Sequence, residues 1–177
     1  ACCSPSGDRL LWRTRVGAPA VFPLHPSGTG IRYYARQLLV DDCDGDGVVE
    51  VWVSANSSSF AHIILKLDGR SGAVLGTYLH PGHLSSMEAT DLDGDGVKEI
   101  LAVGVNNAFL SACMAVLDPR CPDGVGPVQG SYVPSGVSPA LHAYYLLIPR
   151  TMVGDAFRDR QRTNYTWDVW PIREGRG

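Results

Sequence analysis

The chain of 177 residues is 45% hydrophobic and 19% charged, an ordinary composition for a globular domain and not for a disordered chain. This length suits one domain with a sizeable core. No run of about 18 apolar residues is present, so we expect no membrane-spanning helix. The net charge is −3 and the 15 basic residues are scattered, which argues against nucleic acid as a partner.

The first feature along the chain is an internal repeat. Residues 10–26 align without gaps with residues 65–81, and a third copy starts at residues 116–120, which match 66–70. This periodicity predicts one domain of about three units, over residues 10–62, 63–113 and 114–172.

Short apolar runs predict the strands of these units. In the second unit we expect strands over 63–67, 73–79, 86–91 and 99–105, with a break at His80-Pro81-Gly82. In the third unit we expect a strand over 143–149 and another over 165–170. No segment has sustained helical periodicity. We therefore predict an all-β fold of repeated four-stranded antiparallel blade-like units, about three in number, forming an incomplete β-propeller.

Two acidic segments stand out in these units. Residues 42–50 read D-C-D-G-D-G-V-V-E and residues 91–99 read D-L-D-G-D-G-V-K-E, and together they hold eight of the 18 acidic residues. A metal-free hairpin turn needs only one Asp-Gly pair, and three alternating carboxylates repel one another unless a cation lies among them. In the third unit, residues 150–155 replace this segment and retain Asp155 alone.

Calcium is the cation that suits this spacing. It takes six to eight oxygens from carboxylates and backbone carbonyls, whereas magnesium prefers an octahedron that keeps several waters. We therefore predict two Ca²⁺ sites. Because the segments belong to different units, we expect Asp44→Ala and Asp93→Ala each to remove one site only. The predicted ligands are Asp42, Asp44, Asp46, the Val48 carbonyl and Glu50 in one site, and Asp91, Asp93, Asp95, the Val97 carbonyl and Glu99 in the other.

Other polar groups offer weaker candidates. His80 and His83 could hold a metal ion with Glu88, although a polar turn is the favoured interpretation of this segment. Five cysteines without a C-x-x-C pair argue against a zinc site. Cys113 and Cys121 are either bridged across a hairpin or free thiols.

The acidic segments make the chain resemble the calcium-loop propeller repeats known as FG-GAP or VCBS repeats, as found in integrin α-chains and many bacterial surface proteins. The resemblance rests on D-x-D-G-D-G-x-x-E at 42–50 and 91–99 with the apolar runs that follow, and it covers residues 10–150. It implies an extracytoplasmic adhesion module that calcium stiffens and that binds a protein or a glycan.

Two functions follow as hypotheses. A non-enzymatic binding module is favoured, because the acidic residues outside the loops are scattered and form no obvious acid–base pair. The alternative is part of a polysaccharide-degrading enzyme, a lyase or hydrolase, since similar propellers occur among polysaccharide lyases. Closed propellers typically have at least four blades. We therefore expect other blades of a longer chain, a second copy, or the tail over residues 150–172 to cover the open face.

Overall fold

The computed structural model describes residues 2–3, 10–17, 32–57, 61–148 and 152. Strands dominate these residues, which confirms the predicted all-β class. No helix in the described ranges is long and apolar enough to cross a membrane. A short 3-10 helix covers Gly130–Tyr132, and the strands are β1 Cys2–Cys3, β2 Leu10–Trp12, β3 Tyr33–Asp41, β4 Glu50–Ser57, β5 Ala61–Asp68, β6 Val74–Thr90, β7 Glu99–Asn106, β8 Ser111–Leu117, β9 Gly124–Val125 and β10 His142–Ile148.

Seven of these strands form an open antiparallel sheet in the order β10-β8-β7-β6-β5-β4-β3. Residues 74–81 of β6 pair with β5, and residues 82–90 of β6 pair with β7. We call β3, β4, β5 and residues 74–81 the first strand group. Residues 82–90, β7, β8 and β10 are the second strand group. In each group, one acidic segment connects the first strand to the second.

The long strand β6 corrects one prediction from the sequence. We expected His80-Pro81-Gly82 to interrupt the chain, but β6 continues through these residues. Proline lacks the N–H that a ladder needs, and Pro81 lies where β6 exchanges β5 for β7 as its partner. Glycine is required next to it, because a Cβ on Gly82 would lie 1.9 Å from the Val105 carbonyl oxygen.

One core cluster lies between the facing sides of the two strand groups. The first group contributes large side chains such as Trp52 and Tyr78, and the second contributes Met87 and Ile100. All four are at most 2% exposed. Burial of aromatic side chains of this size dominates the apolar contribution to stability. This cluster therefore holds the two groups, and the acidic segments that they carry, against each other.

A second core cluster covers the opposite side of the first strand group. Alternate residues of β5, among them Ile63 and Leu65, point into it, and Trp12 and Tyr33 pack against its border. Strands β4 and β5 are consequently buried along nearly their whole length. Apolar residues therefore occur on both faces of these strands, and polar residues among them, such as Ser54 and His62, are buried as well.

The predicted strands over 63–67 and 99–105 lie within β5 and β7, and the strand predicted over 143–149 is β10, which ends at Ile148. The blade-like repeat and the boundaries of its units stay predictions. The tail strand over 165–170 lies outside the described residues, as do 150–155 apart from residue 152.

Candidate metal sites

The two acidic loops, residues 42–50 and 91–99, fold with the same set of hydrogen bonds. At position 1 the aspartate accepts the backbone N–H groups of the glycines at positions 4 and 6. The aspartates at positions 3 and 5 each accept the N–H two residues further on. The glutamate at position 9 accepts the N–H of position 2. The N···O distances are 2.7–3.3 Å in the first loop and 2.7–3.2 Å in the second.

Glycine is needed at two positions of each loop. The φ angles are 75° at Gly45 and 82° at Gly47, and they are 82° at Gly94 and 89° at Gly96. Residues with a Cβ rarely adopt this left-handed region, whereas glycine enters it without strain. The repeated glycines therefore explain why both loops close with the same backbone path.

This path collects carboxylate oxygens. In the first loop, Asp42, Asp44, Asp46 and Glu50 each offer an oxygen within 4.8 Å of the others. In the second loop, the corresponding group consists of three aspartates (Asp91, Asp93 and Asp95), and Glu99 lies outside it. An ionised carboxylate has about four acceptor positions, so an aspartate that accepts two N–H groups can still bind a cation. Both groups can hold a metal ion.

The first loop is partly buried, with Cys43 and Glu50 buried and Asp46 exposed, and it contacts an ammonium group. Nζ of Lys66 donates to Asp44 and lies 3.7 Å from Oε1 of Glu50. Glu50 is only 1% exposed. Burial raises the pKa of Glu50, and the Asp44 and Asp46 carboxylates raise it further. The Cys43 N–H and the Lys66 ammonium oppose this by lowering the pKa of Glu50.

The second loop is open to solvent. Residues 91–96 are exposed, and the cation beside them is Arg120, whose Nη1 lies 3.9 Å from Oδ2 of Asp95. Asp118 holds Arg120 more tightly, through hydrogen bonds of 2.9 and 3.0 Å. A surface cleft of about 320 Å³ adjoins this loop, and it is lined by Leu92, Asp93, Glu99, Ala143 and Tyr144.

The structure places the two loops next to each other. The Lys98 backbone N–H, in the second loop, donates to the Cys43 carbonyl of the first at 2.8 Å. The Lys98 ammonium donates to Oδ2 of Asp41 at 2.6 Å, and this bond raises the pKa of Lys98. A Cβ on Gly45 would lie 3.9 Å from the Gly96 carbonyl oxygen. No pattern in the sequence indicates this contact, because it depends on how the two strand groups pack.

The histidine candidate is not assembled as a metal site. His80 is fully buried in β6, where its Nε2 contacts the Tyr145 hydroxyl at 2.9 Å and Sγ of Cys113 at 3.4 Å. Glu88 is exposed. Among the described residues, groups of three or more His, Cys, Asp and Glu side chains occur only in the two acidic loops. The favoured interpretation, a polar turn, is also wrong, since this segment is a buried strand.

The cysteines that the structure describes with their side chains are free. Cys113 is buried and Cys121 is exposed, so no bridge joins them. Burial raises the pKa of the Cys113 thiol to about 12, which keeps it protonated and unreactive at neutral pH.

We compared the chain with family models, with curated proteins and with solved structures, and none of them matches it. The function is therefore inferred from the residues of the two loops and from their surroundings.

Proposed function

We propose that the protein is a calcium-binding module of the β-propeller type, in which calcium stabilises the fold and the surface binds a protein or glycan outside the cytoplasm. The observation that carries this proposal is the duplicated loop, in which five matching hydrogen bonds in each copy hold the backbone so that at least three carboxylates converge. An extracytoplasmic location suits the proposal because calcium is plentiful there.

Calcium fits the donor set better than other common metals. The clustered groups are hard carboxylate oxygens, and no imidazole or thiolate belongs to either cluster. Hard oxygen ligands select calcium or magnesium over zinc and copper. Several protein carboxylates in one flexible loop favour calcium, and the Val48 and Val97 carbonyls and Glu99 are the further ligands that we propose.

Titration calorimetry with CaCl₂ on chelator-stripped protein tests this proposal directly. We expect two binding events per chain, and a parallel titration with MgCl₂ should give weaker binding. A calcium stoichiometry of zero contradicts the proposal.

A structural role predicts that calcium stabilises the folded chain. The carboxylates of each loop converge only in the folded state, so binding favours folding by mass action. At a free calcium concentration of 100 times Kd, each site adds about 2.7 kcal/mol. Thermal unfolding in calcium and in chelator measures this effect, and coincident melting curves would rule out a structural ion.

The strand order supports the propeller-type assignment. Each strand group is a four-stranded antiparallel arrangement with its acidic loop in the same place, and propeller blades are four-stranded sheets. The second group also exposes Val103, Tyr144 and Leu146, which are 41%, 65% and 52% accessible. We infer that further strand groups, of a longer chain or of a second copy, cover this surface. Light scattering measures the mass of the chain in solution, and the mass of a dimer would show that a second copy covers this surface.

The second candidate function is part of a polysaccharide-degrading enzyme. The cleft beside the second loop favours it, because Asp93, Glu99 and Tyr144 place carboxylates and an aromatic ring in one concave surface. Glycan-array binding and a sugar-release assay on the same glycans separate the two functions. Binding without release supports the module, and release supports the enzyme.

A further inference from the structure

A lysine side chain from the neighbouring strand places a positive charge against the carboxylates of the first acidic loop. Lys66 lies in β5 with its side chain only 7% exposed. Its ammonium donates to Oδ2 of Asp44. It also donates to the Pro119 carbonyl at 3.0 Å and lies 3.7 Å from Oε1 of Glu50. The Trp52 ring lies below it, with the centroid 5.8 Å from Nζ. The cluster of carboxylates therefore already accommodates a buried positive charge.

The second loop has an apolar residue at the corresponding position. Lys66 pairs across the sheet with Trp52, the third residue of β4, and Val116 pairs with Leu101, the third residue of β7. The repeat in the sequence aligns the same two residues, since 66–70 match 116–120. Val116 is 1% exposed and carries no charge. The cation beside the second loop, Arg120, is 53% exposed and 3.9 Å from Asp95, so a buried cation distinguishes the first loop from the second.

This ammonium has two opposite effects on the first loop. It offsets the repulsion among carboxylates that lie within 4.8 Å of one another, so the loop can keep its shape without metal. It also repels a divalent ion that approaches the same oxygens. A charge about 4–6 Å away changes proton binding to a carboxylate by roughly 1–3 pKa units. A comparable electrostatic effect on calcium weakens its binding by about tenfold or more.

We propose that Lys66 is a built-in counter-cation of the first acidic loop, which preserves this loop without metal and makes it the weaker of two calcium sites. The two loops then fill in sequence, the second before the first. This inference rests on the proposed calcium-binding function, and it adds an order of filling and the residue that sets it.

Single-site variants of the full chain test the order of filling by calorimetric titration with CaCl₂. Asp93→Asn disables the second site, so only the first can bind calcium. Asp46→Asn disables the first site, so only the second can bind calcium, and it removes no contact of Lys66. We expect the Asp93→Asn protein to bind calcium about tenfold more weakly than the Asp46→Asn protein. Equal affinities, or a tighter first site, would overturn the inference without any change at Lys66.

Substitutions of Lys66 in the Asp93→Asn background test the cause. Lys66→Gln keeps a hydrogen-bond donor for the Pro119 carbonyl but removes the charge, and it should tighten calcium binding by about tenfold or more. Lys66→Arg keeps the charge and should leave the affinity near that of the parent. In chelator, Lys66→Gln should melt at a lower temperature than the parent, and calcium should remove this difference.

The outcomes separate this inference from the proposed function. Absence of calcium binding in the unsubstituted chain contradicts the proposed function. Calcium binding that Lys66→Gln leaves unchanged contradicts only the role of Lys66. A Lys66→Gln protein that folds in calcium and not in chelator supports it, because the loop then needs metal to replace the ammonium.

Discussion

The two acidic loops share their spacing, their glycine conformations and their hydrogen bonds, but they differ in what surrounds them. The first is partly buried, with Asp42 and Asp44 half-buried, Glu50 only 1% exposed and Lys66 beside its carboxylates. The second is open, with its aspartates exposed beside a surface cleft. Strand pairing supplies Lys66 to one loop and Val116 to the other. A short motif thus determines the local geometry, and the neighbouring strand determines the electrostatics.

The largest expected difference between the loops concerns stability without metal. Asp44→Ala removes the carboxylate that the buried Lys66 ammonium contacts, whereas Asp93→Ala removes an exposed carboxylate. Asp44→Ala leaves the ammonium with the more distant Glu50 carboxylate, 3.7 Å away, and loss of the nearer partner of a buried ion pair is strongly destabilising. We expect Asp44→Ala to lower the free energy of unfolding by about 3 kcal/mol and Asp93→Ala to change it by less than about 1 kcal/mol.

Urea unfolding in chelator measures both variants. The double variant Asp44→Ala/Lys66→Met is the control, because removal of the buried ammonium that has lost its nearer partner should recover part of the lost stability. Similar losses in the two single variants would contradict the difference in surroundings. Since the loops touch, we no longer expect the sites to be independent, and each variant should also shift the affinity of the remaining site.

Acid should destabilise the contact between the strand groups. Burial lowers the pKa of His80 to about 3 and that of His83 to about 4, from the ordinary value of 6.5. The folded chain therefore binds fewer protons than the unfolded chain below about pH 6.5, and stability decreases as the pH falls. At pH 5 each of these histidines costs about 2 kcal/mol relative to pH 7.5. The titratable side chains that face His80 are His62, Tyr78, His83, Cys113, His142 and Tyr145.

Urea unfolding in chelator at pH 7.5 and pH 5 checks this dependence. His80→Gln isolates the histidine from the loop carboxylates, and the variant should lose less stability between the two pH values than the parent. Equal losses of stability in parent and variant would show that His80 does not cause the acid sensitivity. The carboxylates of the two loops would then be tested next.

Substitution of equivalent glycines tests whether the two loops have the same backbone energetics. Gly47 and Gly96 have φ of 82° and 89°, and a Cβ at either position would meet no atom within 4 Å. Alanine there costs only the strain of the left-handed conformation, about 1–2 kcal/mol. Gly47→Ala and Gly96→Ala should therefore lower stability in chelator equally. Unequal losses would show that the surroundings also change the backbone energetics.

Local chemistry explains which features could be predicted. The 1-3-5-9 spacing of acids and the interposed glycines act within nine residues, so the sequence indicated the shape of both loops. The strands β5 and β7 could be predicted because most of their residues are apolar and several are β-branched. Calcium as the ion stays a prediction.

Long-range packing explains what was missed. Lys66 reaches Asp44 only through the register of β5 on β4, and Lys98 reaches Asp41 through the packing of the two groups. His80-Pro81-Gly82 has the composition of a turn, yet the missing Cβ of Gly82 lets β6 approach β7 closely and continue. No local pattern contains these contacts, since each depends on where a distant strand lies.

The contact between the loops should give the smallest effect. The Lys98–Asp41 pair is 40% and 41% exposed, so solvent and salt weaken it. Lys98→Met removes the ammonium but keeps the backbone bond to Cys43. We expect a slight change in the calcium affinity of the first loop in 20 mM salt and none in 1 M salt, where the Debye length is about 3 Å. Arg70→Met, an exposed change of the same charge away from this contact, is the control for net charge in the calorimetric titrations. An effect of Lys98→Met that persists in 1 M salt would mean that the loops are coupled through packing and not through this charge.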